Sequence, residues 1–285
     1  LQPSDAPALL DLLELSLPFE ELSLPLLGEK IWDDPDFEPQ TAWVEEQGGV
    51  LRGFAMTVQR NQRAYLKFLA VHPEHRNLGL GRDLLQKAEQ GLCVQAVRVA
   101  ESNPNYLTPG VDVRYTVGLL FLEKHGYRKV GETYNLHCDL STDAFAAEAS
   151  PDGLCVRRAS SGDWAEVRAF LRCHFAGWEH EVARMMRNLP VSLHLAWSGD
   201  RLVGFAGYDG NNVGHGWFGP MGTDPSCRGL GVGRILLRRC LADLKAQGRE
   251  HCVIPWVGPY GFYARHSRSR IDRVFWRYEK TLLAQ

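Results

Sequence analysis

The chain has 285 residues, a formal charge of −2 and 45% apolar residues, enough for two cores of ordinary domain size. That balance, with a pI near 6.6, argues against nucleic acid or an anionic membrane as the main partner. No apolar run approaches the roughly 20 residues of a membrane-spanning helix.

Taken in order, Ser4-Asp5 ahead of Ala6-Pro7-Ala8-Leu9-Leu10 reads as a cap and a helix start with Pro in its first turn. The opening carries Asp5 and Asp11 and lacks a basic start, so no secretory signal is expected. Residues 16–39, rich in Pro, Leu and acids, are expected to give helices and a loop over one edge. Residues 41–44, 50–58 and 63–71 read as strands, with turns at Gln47-Gly48-Gly49 and Arg60-Asn61-Gln62. A glycine turn follows, Arg76-Asn77-Leu78-Gly79-Leu80-Gly81-Arg82, then a helical run through Leu84, Leu85, Ala88 and Leu92. Residues 95–100 read as a short strand, 117–125 as a helix closed by Gly126, and 127–140 as one or two more strands. Residues 141–152, small, polar and Pro-containing, read as a linker.

Beyond the linker the series repeats. Residues 154–158 open it, with a helix start at Ser161-Gly162-Asp163. Ala42-Trp43 matches Ala196-Trp197, and Gly53-Phe54-Ala55 matches Gly204-Phe205-Ala206. A second turn, Arg228-Gly229-Leu230-Gly231-Val232-Gly233-Arg234, stands 152 residues after the first. Each turn follows a strand ending in X-Pro (Val71-His72-Pro73 and Thr223-Asp224-Pro225), and each leads into a helix. The second helix carries Ile235, Leu236, Leu237, Cys240, Leu241 and Leu244. The expectation is a duplicated α+β unit, residues 1–140 and 153–285.

A strand, a glycine turn and a helix start aim several unpaired N–H groups at one point, and the helix dipole adds to the attraction for an anion. Glycines let the backbone approach a pyrophosphate with no Cβ in the way. Arg76 and Arg228 can add charged forks at the rim. A Walker loop is excluded because no Lys-Ser or Lys-Thr follows either turn. A dinucleotide fingerprint fails as well, since Arg234 or Leu236 takes the place of its last glycine.

The order of elements and the paired Arg-x-x-Gly-x-Gly turns resemble the GCN5-related N-acetyltransferase (GNAT) superfamily, twice over. The tandem layout is similar to that of mycothiol synthase and other two-domain members. The resemblance covers nearly the whole chain and implies two GNAT-like domains, each a mixed, mostly antiparallel sheet flanked by helices. It also implies acetyl-CoA as co-substrate, with no metal. Carried over, Leu69, Ala70 and Val71 in the first half, and Met221, Gly222 and Thr223 in the second, would pair with the pantetheine arm. Arg76, Asn77, Leu78, Gly79, Leu80, Gly81 and Arg82, and their counterparts Arg228 to Arg234, would take the pyrophosphate.

The family's later helix, written roughly Phe-Tyr-Glu-Lys-x-Gly-Phe, often supplies a Tyr that protonates the departing thiolate. Phe262-Tyr263-Ala264-Arg265-His266-Ser267 puts Tyr263 at that position, with Ser267 where Gly is usual. In the first half Leu122 takes the position, and Leu donates no proton. The resemblance therefore implies catalysis in the second half and an accessory, degenerate first half. The Glu that serves many members as base is absent, since Lys67 and Gly219 hold its place. His215 and Asp209 are the substitutes, beside a chain of waters.

Cys173, His174, Glu179, His180 and Glu181 resemble a metal set in composition, but six residues separate the two histidines and put them on different helix faces. Trp217, Trp256 and Tyr260 either line an acceptor pocket or pack in the core. Arg265, Arg268, Arg270, Arg273 and Arg277 either attract an acidic group or form a solvated basic face. Residues 109–115 form a distinctive loop, a second pocket wall or a simple turn. Seven cysteines without Cys-x-x-Cys spacing suit reduced thiols. The expectation is a cytoplasmic enzyme, monomer or homodimer, moving an acetyl or short acyl group from CoA to a small-molecule amine. The alternatives are a non-catalytic acyl-CoA sensor and a peptide or protein N-acetyltransferase.

Overall fold

The computed structural model describes residues 1–141, 145, 150 and 153–282. The chain forms two compact units: Leu1–Thr133 together with the segment from Phe275 onward, and Tyr134–Val274.

In the first unit, helices α1 (Ala6–Ser16) and α2 (Leu24–Lys30) precede strands β1 (Ala42–Gln47), β2 (Val50–Arg60) and β3 (Arg63–Val71). Leu9, Leu12 and Leu13 fall at i, i+3 and i+4, one helix stripe, and α1 lays them with Leu26 and Leu27 on Phe54, Met56, Val58, Phe68 and Ala70. Ala55, and across the bulge that leaves Lys67 unpaired Ala64 and Leu66, face the other way, onto α3 (Leu80–Glu89) and α4 (Thr116–Lys124). Burying each Leu in such a layer is worth about 1.5–3 kcal/mol. β3 pairs antiparallel with β2 along its length. It pairs parallel with β4 (Ala96–Val99) only from Arg63↔Ala96 to Leu66↔Val99, after which the two strands part. The short β5 (Val111–Asp112) precedes α4, and β6 (Arg128–Asp139) begins in this unit.

In the second unit, β7 (Leu154–Arg158), α5 (Trp164–His174) and α6 (Glu179–Arg187) lead to β8 (Leu193–Ser198), β9 (Arg201–Tyr208) and β10 (Phe218–Thr223). These four strands make an antiparallel sheet in the order β10-β9-β8-β7. α7 (Val232–Ala246) covers one face through Ile235, Leu236, Cys240 and Leu244. α5 and α6 cover the other through Val167, Phe170, Leu171, Val182 and Met185. β11 (His251–Ile254) pairs beside the start of β10 through the parallel bridge Trp217↔Val253. α8 (Tyr260–Ser267) and β12 (Arg270–Thr281) close the series.

Two sequence expectations differ from this arrangement, and a third falls mostly outside the described residues. The boundaries at 140 and 153 do not match the two units. Leu136 and Cys138 pair with β11 and lie in the second unit's core, whereas β12 from Phe275 pairs with β4 and β5 of the first. Most of the linker, residues 141–152, lies outside the described residues; Phe145, which is described, is buried in the second unit's core. Finally, Ala42-Trp43 is not the counterpart of Ala196-Trp197. Gly53 pairs with Glu45, and Gly204 pairs with Ala196, so hairpin register sets Glu45 opposite the role of Ala196. The shared Ala-Trp is a chance match.

Candidate functional site

In the second unit the Asp224 N–H donates to Val203 O at 2.9 Å. Hydrogen-bonding direction alternates along an antiparallel strand, so Gly222 also faces β9 while Met221 and Thr223 present N–H and C=O groups outward. On that side β11 has already diverged. Met221, Gly222 and Thr223 thus form an open strand edge. Gly222 has a packing role too: a Cβ there would stand 2.6 Å from the Phe175 ring.

The chain then turns through Pro225–Cys227, where the Asp224 side chain accepts from Ser226 N at 2.8 Å. The bonds from Ser226, with smaller help from Arg201 and His174, hold the Asp224 carboxyl below the usual range. Gly229 (φ +83°) and Gly231 (φ +80°) occupy the left-handed region that favours glycine. Gly231 is the N-cap of α7, and the first N–H groups of that helix have no intrahelical acceptor. Arg228 and Leu230 are exposed at the rim, while Val232 is buried and Arg234 lies close to Gly231. Gly233 faces the Phe262 ring of α8 and the Met221 and Thr223 side chains, where a Cβ would meet them at 3.5–3.8 Å.

Tyr263 lies on α8, 9% exposed, edge-on to Phe218 with ring centroids 6.1 Å apart. Burial, reinforced by Cys252, pushes its hydroxyl pKa up to about 12. Other buried tyrosines hydrogen-bond through their hydroxyls: Tyr127 to Glu89, Tyr278 to Glu123 and Tyr208 to Asp243. The Tyr263 hydroxyl makes no hydrogen bond among the described residues. His215 is half-buried in the turn between β9 and β10 rather than on a strand. Asp209, at φ +52°, accepts from Gly214 N at 3.1 Å and braces that turn. Trp217 is buried beside Val253, while Tyr260 is 55% exposed and edge-on to Tyr134.

The first unit repeats the frame with different fittings. His72 N donates to Arg52 O, so Leu69 and Val71 face outward and Ala70 faces β2. Asn77 (φ +63°) stands where Gly229 does, and Gly79 (φ +89°) caps α3. Leu78 is exposed, Leu80 and Gly81 open the helix, and Arg82 pairs with Asp83 at 3.2 Å. Gly81 meets Phe121 of α4 as Gly233 meets Phe262. The outward carbonyl of Val71, however, already accepts from Ser16 Oγ at 3.2 Å and Arg76 Nε at 3.1 Å. Leu122, the counterpart of Tyr263, is buried in the core.

A second difference follows β4. Residues 100–115 separate β4 from α4, against only residues 255–259 between β11 and α8. The longer loop is tied to the α1/α2 face. Arg60 donates to Asn103 O at 2.7 Å and to Ser102 O, Lys30 to Asn105 Oδ1 at 3.0 Å, and Asn105 Nδ2 to Glu29 O at 2.6 Å. Asp34 joins Arg60 and Lys67 beneath it. Tyr115 holds the segment before α2 by accepting from Phe19 N and donating to Glu20, both at 3.2 Å. Arg277, expected on a solvated basic face, instead binds Glu101 of this loop.

Sequence reasoning missed Ser16, Phe175 and the Arg60–Lys30 ties. Matching the ends of the repeated first helices would have found Ser16; the ties are long-range and leave no periodic signal.

The model of the acetyltransferase (GNAT) family matches residues 7–102 and 164–266. A mycothiol acetyltransferase of Nocardioides sp. is 28% identical over 207 residues, 63% of this chain and 67% of that protein. One of Geodermatophilus obscurus is 29% identical over 208 residues, 65% and 63% respectively. These matches span about two thirds of the relatives' length. Among solved structures, a GCN5-related N-acetyltransferase from Sphaerobacter thermophilus matches with a TM-score of 0.71 at 21% identity, covering 99% of this chain and 94% of that one. A tandem GNAT protein from the clavulanic acid biosynthesis pathway matches at 0.69 and 15% identity, covering 98% and 95%. At these identities the structures speak for the fold alone.

Proposed function

The chain belongs to the acetyltransferase (GNAT) family, and from that premise we propose that it is an acyl-CoA-dependent N-acetyltransferase whose second unit acts on a small-molecule amine. The observation that carries this reading is Tyr263, 9% exposed with a hydroxyl that makes no hydrogen bond among the described residues, on a helix whose Phe262 packs on the turn glycine Gly233.

The second unit suits CoA: two glycines in left-handed conformation, a helix start with unpaired N–H groups, and an outer edge at Met221–Thr223 that no described strand pairs. Acetyl-CoA, when bound, supplies the acyl group as a thioester. The turn from Arg228 to Arg234 would hold its pyrophosphate, and the edge of Met221 and Thr223 its arm. An outward strand N–H polarises the carbonyl. Tyr263 holds its proton up to a pKa of about 12 and gives it to the thiolate. Positioning amine and thioester together supplies much of the remaining acceleration. His215 and Asp209 stand on the preceding turn, where proton removal from the amine would go through water.

The first unit then serves as an accessory half. Its arm edge is capped by Ser16 and Arg76, and Leu122 replaces the acid. The curated relatives named as mycothiol acetyltransferases support a small amine acceptor. All seven cysteines are free, which suits a reducing compartment such as the cytoplasm.

The test is acetyl-CoA with a panel of small primary amines, amino sugars included, read by mass spectrometry of the acetylated product. Product that depends on both substrates and is lost in Tyr263→Phe supports the reading. CoA binding with no product from any amine would favour the non-catalytic sensor.

A further inference from the structure

We propose that His174 binds the arm of the CoA molecule held by the second unit, its imidazole hydrogen-bonding an amide or hydroxyl of that arm at the outer edge of β10. This rests on the functional reading above and adds a residue to it.

The repeat makes His174 the counterpart of Ser16. α1 and α5 have the same length, 11 residues each. Each ends in a non-helical residue whose N–H still reaches four residues back, Leu17 to Leu13 at 2.7 Å and Phe175 to Leu171 at 2.6 Å. Ser16 and His174 are therefore equivalent, the last residue of the helix in each unit. Ser16 reaches the outward carbonyl of Val71, whose counterpart is Thr223. The end of this helix is thus the element that addresses the open strand edge.

Contacts within the second unit place His174 in the same position. Phe175 lies across Gly222, its ring carbons 2.6–2.9 Å from where a Cβ would stand. His174 is also among the groups that lower the pKa of Asp224, the residue after Thr223.

The two units then differ in one respect that matters chemically. In the first, Ser16 and Arg76 satisfy the edge carbonyl internally. In the second, His174 and Arg228 are exposed and neither side chain hydrogen-bonds a described residue, and Thr223 O accepts from no described side chain. A long arm of amides and hydroxyls lying along this edge would meet a ring that can donate from one nitrogen and accept at the other.

The test is calorimetry in a Gly79→Glu background, which removes the first unit's turn from the signal. The probes are CoA and adenosine 3′,5′-bisphosphate, which has the nucleotide end but no arm. His174→Ala should weaken CoA binding about five- to tenfold, the loss of one hydrogen bond, and leave the bisphosphate within about twofold. His174→Gln, which keeps a donor and an acceptor, should recover part of the loss. Unchanged CoA binding in His174→Ala, or an equal loss for both probes, would overturn the assignment. If the Gly79→Glu protein binds neither probe, the functional reading itself falls with it.

Discussion

The ring of Tyr263 stands edge-on to that of Phe218, with centroids 6.1 Å apart and planes at 72°. Phe218 is the first residue of β10, near the point where that strand leaves β11. The contact fixes the helix that carries the hydroxyl relative to the strand that carries the open edge. An aromatic pair of this geometry adds about 0.5–1.5 kcal/mol beyond area burial, enough to hold one ring orientation.

Tyr263→Phe keeps that ring contact and removes only the hydroxyl. Acyl transfer should fall about 10²–10⁴-fold, the usual worth of a positioned acid, while CoA affinity stays within about threefold. The parent's rate should rise with pH as the amine acceptor loses its proton. No fall should follow from Tyr263 until pH approaches about 12, where it titrates. A pH–rate profile for parent and variant checks both. A descending limb near pH 8 that vanishes in Tyr263→Phe would contradict the raised pKa.

Gly222→Ala tests the packing of α5 on β10. The added Cβ would stand 2.6–2.9 Å from three Phe175 ring carbons, so ring or strand must move. Overpacking of this kind costs about 1–3 kcal/mol, read as a lower urea midpoint. A Phe175→Leu second change should recover part of that loss. No change in midpoint for Gly222→Ala would contradict the contact.

In the first unit, the fully buried Asp34 side chain holds Lys67 and Arg60 together. Asp34→Asn leaves the buried Lys67 without its carboxylate, while Arg60 keeps Asp36 at 2.7 Å, and should cost about 3–5 kcal/mol. Burial raises the Asp34 carboxyl, but Lys67 and Arg60 outweigh it and its pKa ends below the usual value. Its stabilisation is therefore full above about pH 4, the unfolded carboxylate value, and is lost as pH falls further. Lys67 gives a slope of the same sign in a higher pH window. Burial lowers its pKa to about 7 against the attraction of Asp34, below the roughly 10.4 of an unfolded lysine. Between those values the unfolded chain holds more protons, so stability rises with pH. Unfolding at a series of pH values should show that rise, and Lys67→Met should flatten it.

The sequence made the repeat legible because its signals are local: glycine turns after X-Pro, period-two strands, and apolar stripes at helical spacing. The Tyr263 and Leu122 positions could be read for the same reason, each lying a fixed distance along a short helix motif. Pairings between distant segments left no such mark. Nothing in residues 128–139 or 270–281 announces that each strand divides between two units. The ties from Arg60 and Lys30 to residues 103–105 depend on the tertiary fold alone. The Ala-Trp match misled because register follows bulges, at Glu45/Glu46 and Ala196/Trp197, that composition does not encode.

The most direct test of the second unit as the transfer site is a calorimetric titration of CoA into Gly231→Glu, with Gly79→Glu as its counterpart and circular dichroism to confirm folding. A Glu at Gly231 sets a charged side chain in a left-handed turn (φ +80°) where a pyrophosphate would lie. The account predicts that Gly231→Glu loses the CoA site on which acyl transfer depends and loses turnover with it, while Gly79→Glu keeps both. CoA binding and turnover intact in Gly231→Glu but abolished in Gly79→Glu would contradict it.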